Sequence, residues 1–184
     1  MRTAPFTLLP VFAAAVLLGA CDVTVHDKGQ GDKADVDIHT PIGDLSVRTD
    51  VDSPDSGLAV YPGARPLRDE DEGRENADVN IDTPFFALKV VAAKFEADDA
   101  PEKVLDFYRN EMKAHGEVTE CRGNIDFKGR RGDRQAVCKE RPSSREIQLA
   151  TGTEEQHRIA TVTPRGDGSE FSLVYVQTRA GNSN

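Results

Sequence analysis

Few residues of this chain carry reactive chemistry, and their spacing decides what they can do. Cys121 and Cys138 stand 17 positions apart, and neither belongs to a C-x-x-C pair, which removes both the zinc-motif and the redox-pair readings. None of the four histidines, His26, His39, His115 and His157, falls within motif spacing of either cysteine. No metal and no cofactor is therefore expected. Asp50 to Gly57 has a D-x-D-x-x-D spacing, but Pro54 interrupts it and no bidentate Glu closes a calcium loop, so it reads as a linker. No serine sits in a nucleophile-elbow context, and no His-x-x-x-His or glycine-rich phosphate loop occurs, so catalysis is not expected. One cluster stands out. Arg122, Lys128, Arg130, Arg131, Arg134, Lys139, Arg141 and Arg145 face only Asp126, Asp133 and Glu140. Held together, clustered arginines bind carboxylate or phosphate groups, which makes Arg130, Arg131 and Arg134 candidate anion-binding residues. The plainer reading is a solvated loop that pairs with the chain's own Asp69–Glu72 segment.

With 184 residues and a formal net charge of -9, the chain suits one ordinary domain plus an appendage and disfavours nucleic acid as a partner. Residues 22–84 hold 16 acidic and 6 basic side chains, while residues 85–184 hold 16 of each. The negative excess is entirely N-terminal. Met1-Arg2-Thr3 carries one positive charge, an apolar run follows, and it closes on Leu18-Gly19-Ala20-Cys21. Residues 1–20 read as a signal peptide. The closing tetrapeptide resembles the lipobox of bacterial lipoproteins, which implies cleavage before Cys21, its lipidation, including palmitate or another acyl chain, and tethering of the mature protein to a membrane. Cys121 and Cys138 then remain as an even pair in an oxidising compartment, and a disulfide between them is expected. In the loop-entropy account it stabilises the fold by roughly 3 kcal/mol.

These residues need elements to position them. Ala34-Asp-Val-Asp-Ile-His-Thr-Pro41 is echoed 43 residues later by Ala77-Asp-Val-Asn-Ile-Asp-Thr-Pro84, and each copy reads as strand, Thr-Pro turn, strand. Val36, Ile38, Leu45 and Val47 alternate onto one face of a hairpin, as do Val79, Ile81, Leu88 and Val90. Whether this is a true repeat or two similar hairpins stays open at this point. Asp99 with Glu102 forms a capping-box pattern, Pro101 opens the first turn and Gly116 supplies a stop, so a helix is expected over 101–115. Its stripe is Val104, Leu105, Tyr108 and Met112. Short strands flank the basic loop, and Arg145–Thr151, His157–Thr163 and Glu170–Thr178 form an antiparallel meander. The expected fold class is α+β, a sheet of about five antiparallel strands covered by one amphipathic helix, preceded by an N-terminal β-hairpin segment. Residues 21–57 form the tether and hairpin, and 58–184 the α+β domain.

Tyr61-Pro-Gly-Ala64, the segment Asp98-Asp-Ala-Pro-Glu-Lys-Val-Leu-Asp-Phe-Tyr-Arg109 and Gly116 together resemble a family of uncharacterised bacterial lipoproteins and exported proteins. Its members carry a Y-P-G-A turn, a strand, and a helix with a V-x-x-F-Y pattern ending in glycine. The resemblance covers roughly residues 34–122, and Met112 stands where the family has Leu. It implies location and fold, and no activity. The expected function is that of a membrane-anchored cell-envelope lipoprotein acting as a binding or assembly module on the periplasmic face of the inner or outer membrane. Expected partners are the membrane, through acylated Cys21, and an envelope protein or anionic polymer. The alternative is a structural or stress-related lipoprotein without a ligand.

Overall fold

The computed structural model describes residues 22–27, 34–49, 55–69, 73–74, 76–130 and 133–180. Cys21, the 1–20 segment, residues 50–54, the side chains of residues 69–72 and Arg131 lie outside the described residues. Thirteen strands and one helix follow in chain order: β1 (Asp22–Asp27), β2 (Ala34–Thr40), β3 (Gly43–Thr49), β4 (Arg65–Pro66), β5 (Arg68–Asp69), β6 (Gly73–Arg74), β7 (Ala77–Asp82) and β8 (Phe86–Ala97). The helix α1 (Pro101–Met112) continues as a 3-10 turn to His115, then come β9 (Val118–Lys128), β10 (Gln135–Glu140), β11 (Ile147–Gly152), β12 (Gln156–Arg165) and β13 (Gly168–Ala180). All but β5 and β6 join one antiparallel sheet, ordered β1-β2-β3-β7-β8-β13-β12-β11-β9-β10, with β4 pairing on β8.

The architecture is thus mainly β, which corrects the expected balance of an α+β layer with about five strands. Antiparallel sheet and one helix are present as expected. The difference arises because β3 pairs with β7, from Asp44 opposite Asp82 to Thr49 opposite Ala77. That pairing merges the N-terminal strands into the sheet that carries the helix.

Two long strands bind the halves together, and each changes its apolar side midway. On β8, Val91, Ala93, Phe95 and Ala97 point to the helix and are buried, whereas Leu88 and Val90 point to the opposite face. On β13, Phe171 and Leu173 are buried under the helix and Tyr175, on the same face, is buried beneath Arg158, whereas Val174 and Val176 lie on the other side. The pairing of the two strands is unbroken, and it is the apolar positions of the sequence that shift by one residue. The core under α1 consists of Val104, Leu105, Tyr108 and Met112 against Phe95, Leu149, Ala160, Val162, Phe171 and Leu173. Phe95 and Phe171 stack at 5.3 Å between ring centroids, and these buried aromatics dominate the apolar area.

The helix begins at Pro101, but its N-cap is Ala100 and no side chain caps it, a correction to the expected capping box. Asp99 is taken up elsewhere: Lys103 Nζ lies 2.7 Å from its Oδ1 and the Tyr61 hydroxyl donates to Oδ2 at 2.9 Å. Charge-assisted contacts of that kind outbid a neutral backbone N–H. At the other end Gly116 has φ +131°, a conformation that releases the chain into β9 and that L side chains rarely adopt.

Candidate functional site

The 43-residue echo builds one end of the sheet. In the first copy the Thr40 hydroxyl donates to the Gly43 carbonyl at 2.8 Å and accepts the Ile42 N–H at 3.3 Å. In the second, the Thr83 hydroxyl donates to the Phe86 carbonyl at 2.8 Å and accepts the Phe85 N–H at 3.2 Å. The two Thr-Pro turns are closed by the same bonds at matching positions, each an ST-type turn in which a hydroxyl replaces a backbone partner. Because β3 and β7 are neighbours, the turns sit side by side. Between them opens a concavity of about 670 Å³ lined by Thr40, Pro41, Ile42, Asp44, Asp82, Thr83, Pro84 and Arg179, with Gly43 and Ala180. Its charges are paired. His39 Nδ1 lies 2.9 Å from Asp44 Oδ1, and Arg179 reaches Asp82 at 3.3 Å. The hydrogen bond and charge of Asp44 raise the His39 imidazole above its ordinary pKa.

The basic segment is a hairpin rather than a loop. Arg122 and Lys128 lie on β9, Lys139 on β10, and Arg130 follows the end of β9. The sequence held this signal, since Ile125 and Phe127 alternate with charged neighbours. Cys138 pairs in register with Ile125, four residues from Cys121, and a flat strand would hold Cys121 and Cys138 roughly 13 Å apart. Their Cα atoms are 5.2 Å apart and the disulfide is closed, with S–S 2.07 Å. The strand therefore folds sharply between them. Gly123, at φ +108°, supplies the fold, and a Cβ there would stand 2.8 Å from the Arg141 nitrogen. Folded back, the hairpin lays Phe127 on the ring of His157 at 4.4 Å, on the sheet face opposite the helix. His157 also contacts the Thr153 and Glu154 carbonyls through Nδ1, and burial pushes its pKa down.

Of the three candidate anion ligands, Arg134 is engaged within the chain, its Nη1 lying 2.7 and 2.9 Å from the two carboxylate oxygens of Glu154. Arg130 is exposed on the hairpin turn. Sequence reasoning missed Glu154 as the partner, because the two residues meet only through the fold-back, where Glu154 N–H also donates to the Arg134 carbonyl.

A second polar constellation ties the Tyr61-Pro-Gly-Ala64 turn to the helix. The Tyr108 hydroxyl accepts the Tyr61 N–H at 3.1 Å and donates to the Ala59 carbonyl at 3.3 Å. Burial raises the Tyr108 phenol well above its ordinary pKa, and burial with the adjacent Asp99 carboxylate raises that of Tyr61. Lys103 first, then Tyr61, hold Asp99 below the usual carboxylate range. Nearby, the Arg65 guanidinium binds both oxygens of Asp98, at 2.8 and 3.1 Å, and holds that carboxyl low. Each of these groups has a fixed partner, so the cluster orders the turn.

Among the described residues no group of three or more His, Cys, Asp and Glu side chains is placed to hold a metal ion, and no helix is long and apolar enough to cross a membrane. The chain matches no protein-family profile, no curated protein and no solved structure.

Proposed function

We propose that the chain is a membrane-anchored cell-envelope lipoprotein that acts as a binding or assembly module. The observation that carries this reading is the Leu18-Gly19-Ala20-Cys21 tetrapeptide followed, with no spacer, by strand β1 from Asp22. Several acyl chains on Cys21 would give firm attachment where one chain gives only marginal binding. In this reading the folded region stands directly on the membrane surface and offers its sheet to an envelope partner. The reading assigns it no catalytic step, in keeping with Tyr61, Tyr108, Asp98, Asp99, Arg65 and Arg134 each being engaged by partners within the chain. The family of bacterial lipoproteins with the Y-P-G-A turn supplies a matching location. The test is metabolic labelling with palmitate. The parent should take up label and Cys21→Ser should not, remaining unprocessed; normal membrane-tethered maturation of Cys21→Ser refutes the proposal. Cross-linking in intact cells, with the partners identified, then separates a binding module from a structural lipoprotein without a ligand.

A further inference from the structure

Exposed large apolar side chains are not scattered over this molecule. Among the described residues they are Val23, Val25, Ile42, Val60, Phe85 and Phe86. All but Val60 belong to β1 or to the two Thr-Pro turns. Ile42 is 69% exposed and Phe85 is 74% exposed, at equivalent positions of the two copies. The pairing register puts them at one end of the sheet: Asp22 lies opposite His39, Asp44 opposite Asp82, and Ala180 opposite Phe86. Asp22 therefore starts the described chain at the same end as the turns. Cys21 precedes it by one peptide unit, about 3.8 Å between Cα atoms. Two adjacent turns that each hold an apolar side chain out into solvent, at the end where the chain enters, are a feature that burial in the core does not explain.

We infer that the turn end of the sheet docks into the lipid bilayer surface, with Ile42, Phe85 and Phe86 entering the headgroup and upper acyl region. This rests on the lipoprotein reading and specifies its geometry. The tether alone would leave the domain free to tumble on its anchor; three apolar side chains beside the tether fix its orientation. The contact is apolar rather than electrostatic, because the nearest cations, His39 and Arg179, are already paired with Asp44 and Asp82, and Asp22 beside the tether adds a further negative charge. A net negative chain gains nothing from anionic headgroups. With the turns in the membrane, the strands stand up from it, and α1 and the basic hairpin face the aqueous compartment.

The chain has no Trp, so a single introduced indole reports its own surroundings. Ile42→Trp, Phe85→Trp and, as a control, Val60→Trp would be prepared as the full acylated protein in phosphatidylcholine vesicles bearing brominated acyl chains. Val60 adjoins Tyr61, whose hydroxyl meets Asp99 just beyond the far end of β8. Quenching several-fold stronger at 42 and 85 than at 60, with a blue-shifted emission that high salt leaves unchanged, is the expected result. Equal quenching at all three positions overturns the inference. So does a blue shift that grows with protein density and is insensitive to brominated lipid, which would assign the turns to contact between copies. Palmitate labelling on the same preparations separates the two levels: labelled protein with unquenched turns leaves the anchor standing and removes the docking, whereas unlabelled protein removes the anchor itself. The substituted positions are exposed, so circular dichroism should match the parent in each case.

Discussion

Arg109 reaches from α1 to Glu120 on β9 and closes two parallel hydrogen bonds, Nε to Oε2 at 2.8 Å and Nη2 to Oε1 at 2.9 Å. Its remaining Nη1 binds Glu102 and Asp106 on its own helix, at 2.9 and 2.6 Å. One guanidinium thus fastens the wet edge of the helix to the sheet, and a lysine has no fork with which to do so.

Replacing it gives the first prediction. Arg109→Gln should cost about 1 kcal/mol in urea denaturation at neutral pH, since Glu120 is partly exposed and the pair is screened. Arg109 holds the Glu120 carboxyl below its ordinary 4.5, so this stabilisation is present above that value and lost as pH falls through the depressed one. The gap between parent and variant should therefore close in acid. A gap that persists there means that packing, not charge, is the cause.

Tyr108→Phe should be worse than its single lost oxygen suggests. The change strands the Tyr61 N–H, which now donates to that hydroxyl, and an unmet buried donor costs roughly 1–3 kcal/mol. Chemical denaturation measures the loss, and faster hydrogen exchange at residues 59–64 should accompany it. Unchanged exchange there shows that the turn is held by other means.

Breaking the disulfide by Cys138→Ser should remove roughly 3 kcal/mol, as the loop-entropy account gives. Gly123→Ala acts on the same feature through the backbone, because a side chain there meets Arg141 at the fold of β9. Both variants should release Phe127 from His157, which the His157 ring resonances in NMR report directly. Unshifted resonances would show that the fold-back survives without bridge or glycine.

His157 makes stability depend on pH in a stated direction. Burial lowers its folded pKa below the unfolded 6.5, so between those two values the unfolded chain binds more protons and stability falls as pH drops. His39 is shifted the other way by Asp44 and contributes stability below 6.5 that is lost as pH rises. The comparison that isolates the buried group is His157→Gln against the parent. The variant should show a flatter loss of stability from neutral pH toward pH 5. Parallel curves would assign the acid sensitivity elsewhere.

How much of this was legible in the sequence depends on how far apart the contacting residues lie. The helix stripe of Val104, Leu105, Tyr108 and Met112, the C-terminal meander and the disulfide all follow from local period, turn chemistry and cysteine count. The strand pairing of β3 with β7 does not, because edge registers are chosen by long-range packing. The switch of apolar side at Val90 and Val91 was visible as two adjacent valines but had no meaning until both faces were seen. Asp99 misled through a good local pattern, since Lys103, one turn on, and Tyr61, 38 residues away in sequence, take its two carboxylate oxygens. The turn end escaped notice because Ile42, Phe85 and Phe86 are ordinary residues in composition; only the neighbouring turns make them a group.

The two Thr-Pro units also determine how such a sheet can grow. Each unit contributes two antiparallel strands and closes its own turn with its own threonine, and β3 accepts β7 as it accepts β2. A third copy inserted after β3 would widen the sheet by two strand spacings, about 4.8 Å each, and would leave the helix-covered core untouched. It would also add one more apolar tip to the same end. The breadth of that end is therefore a countable, inheritable quantity that gene duplication can alter in whole steps, independently of the domain that α1 stabilises.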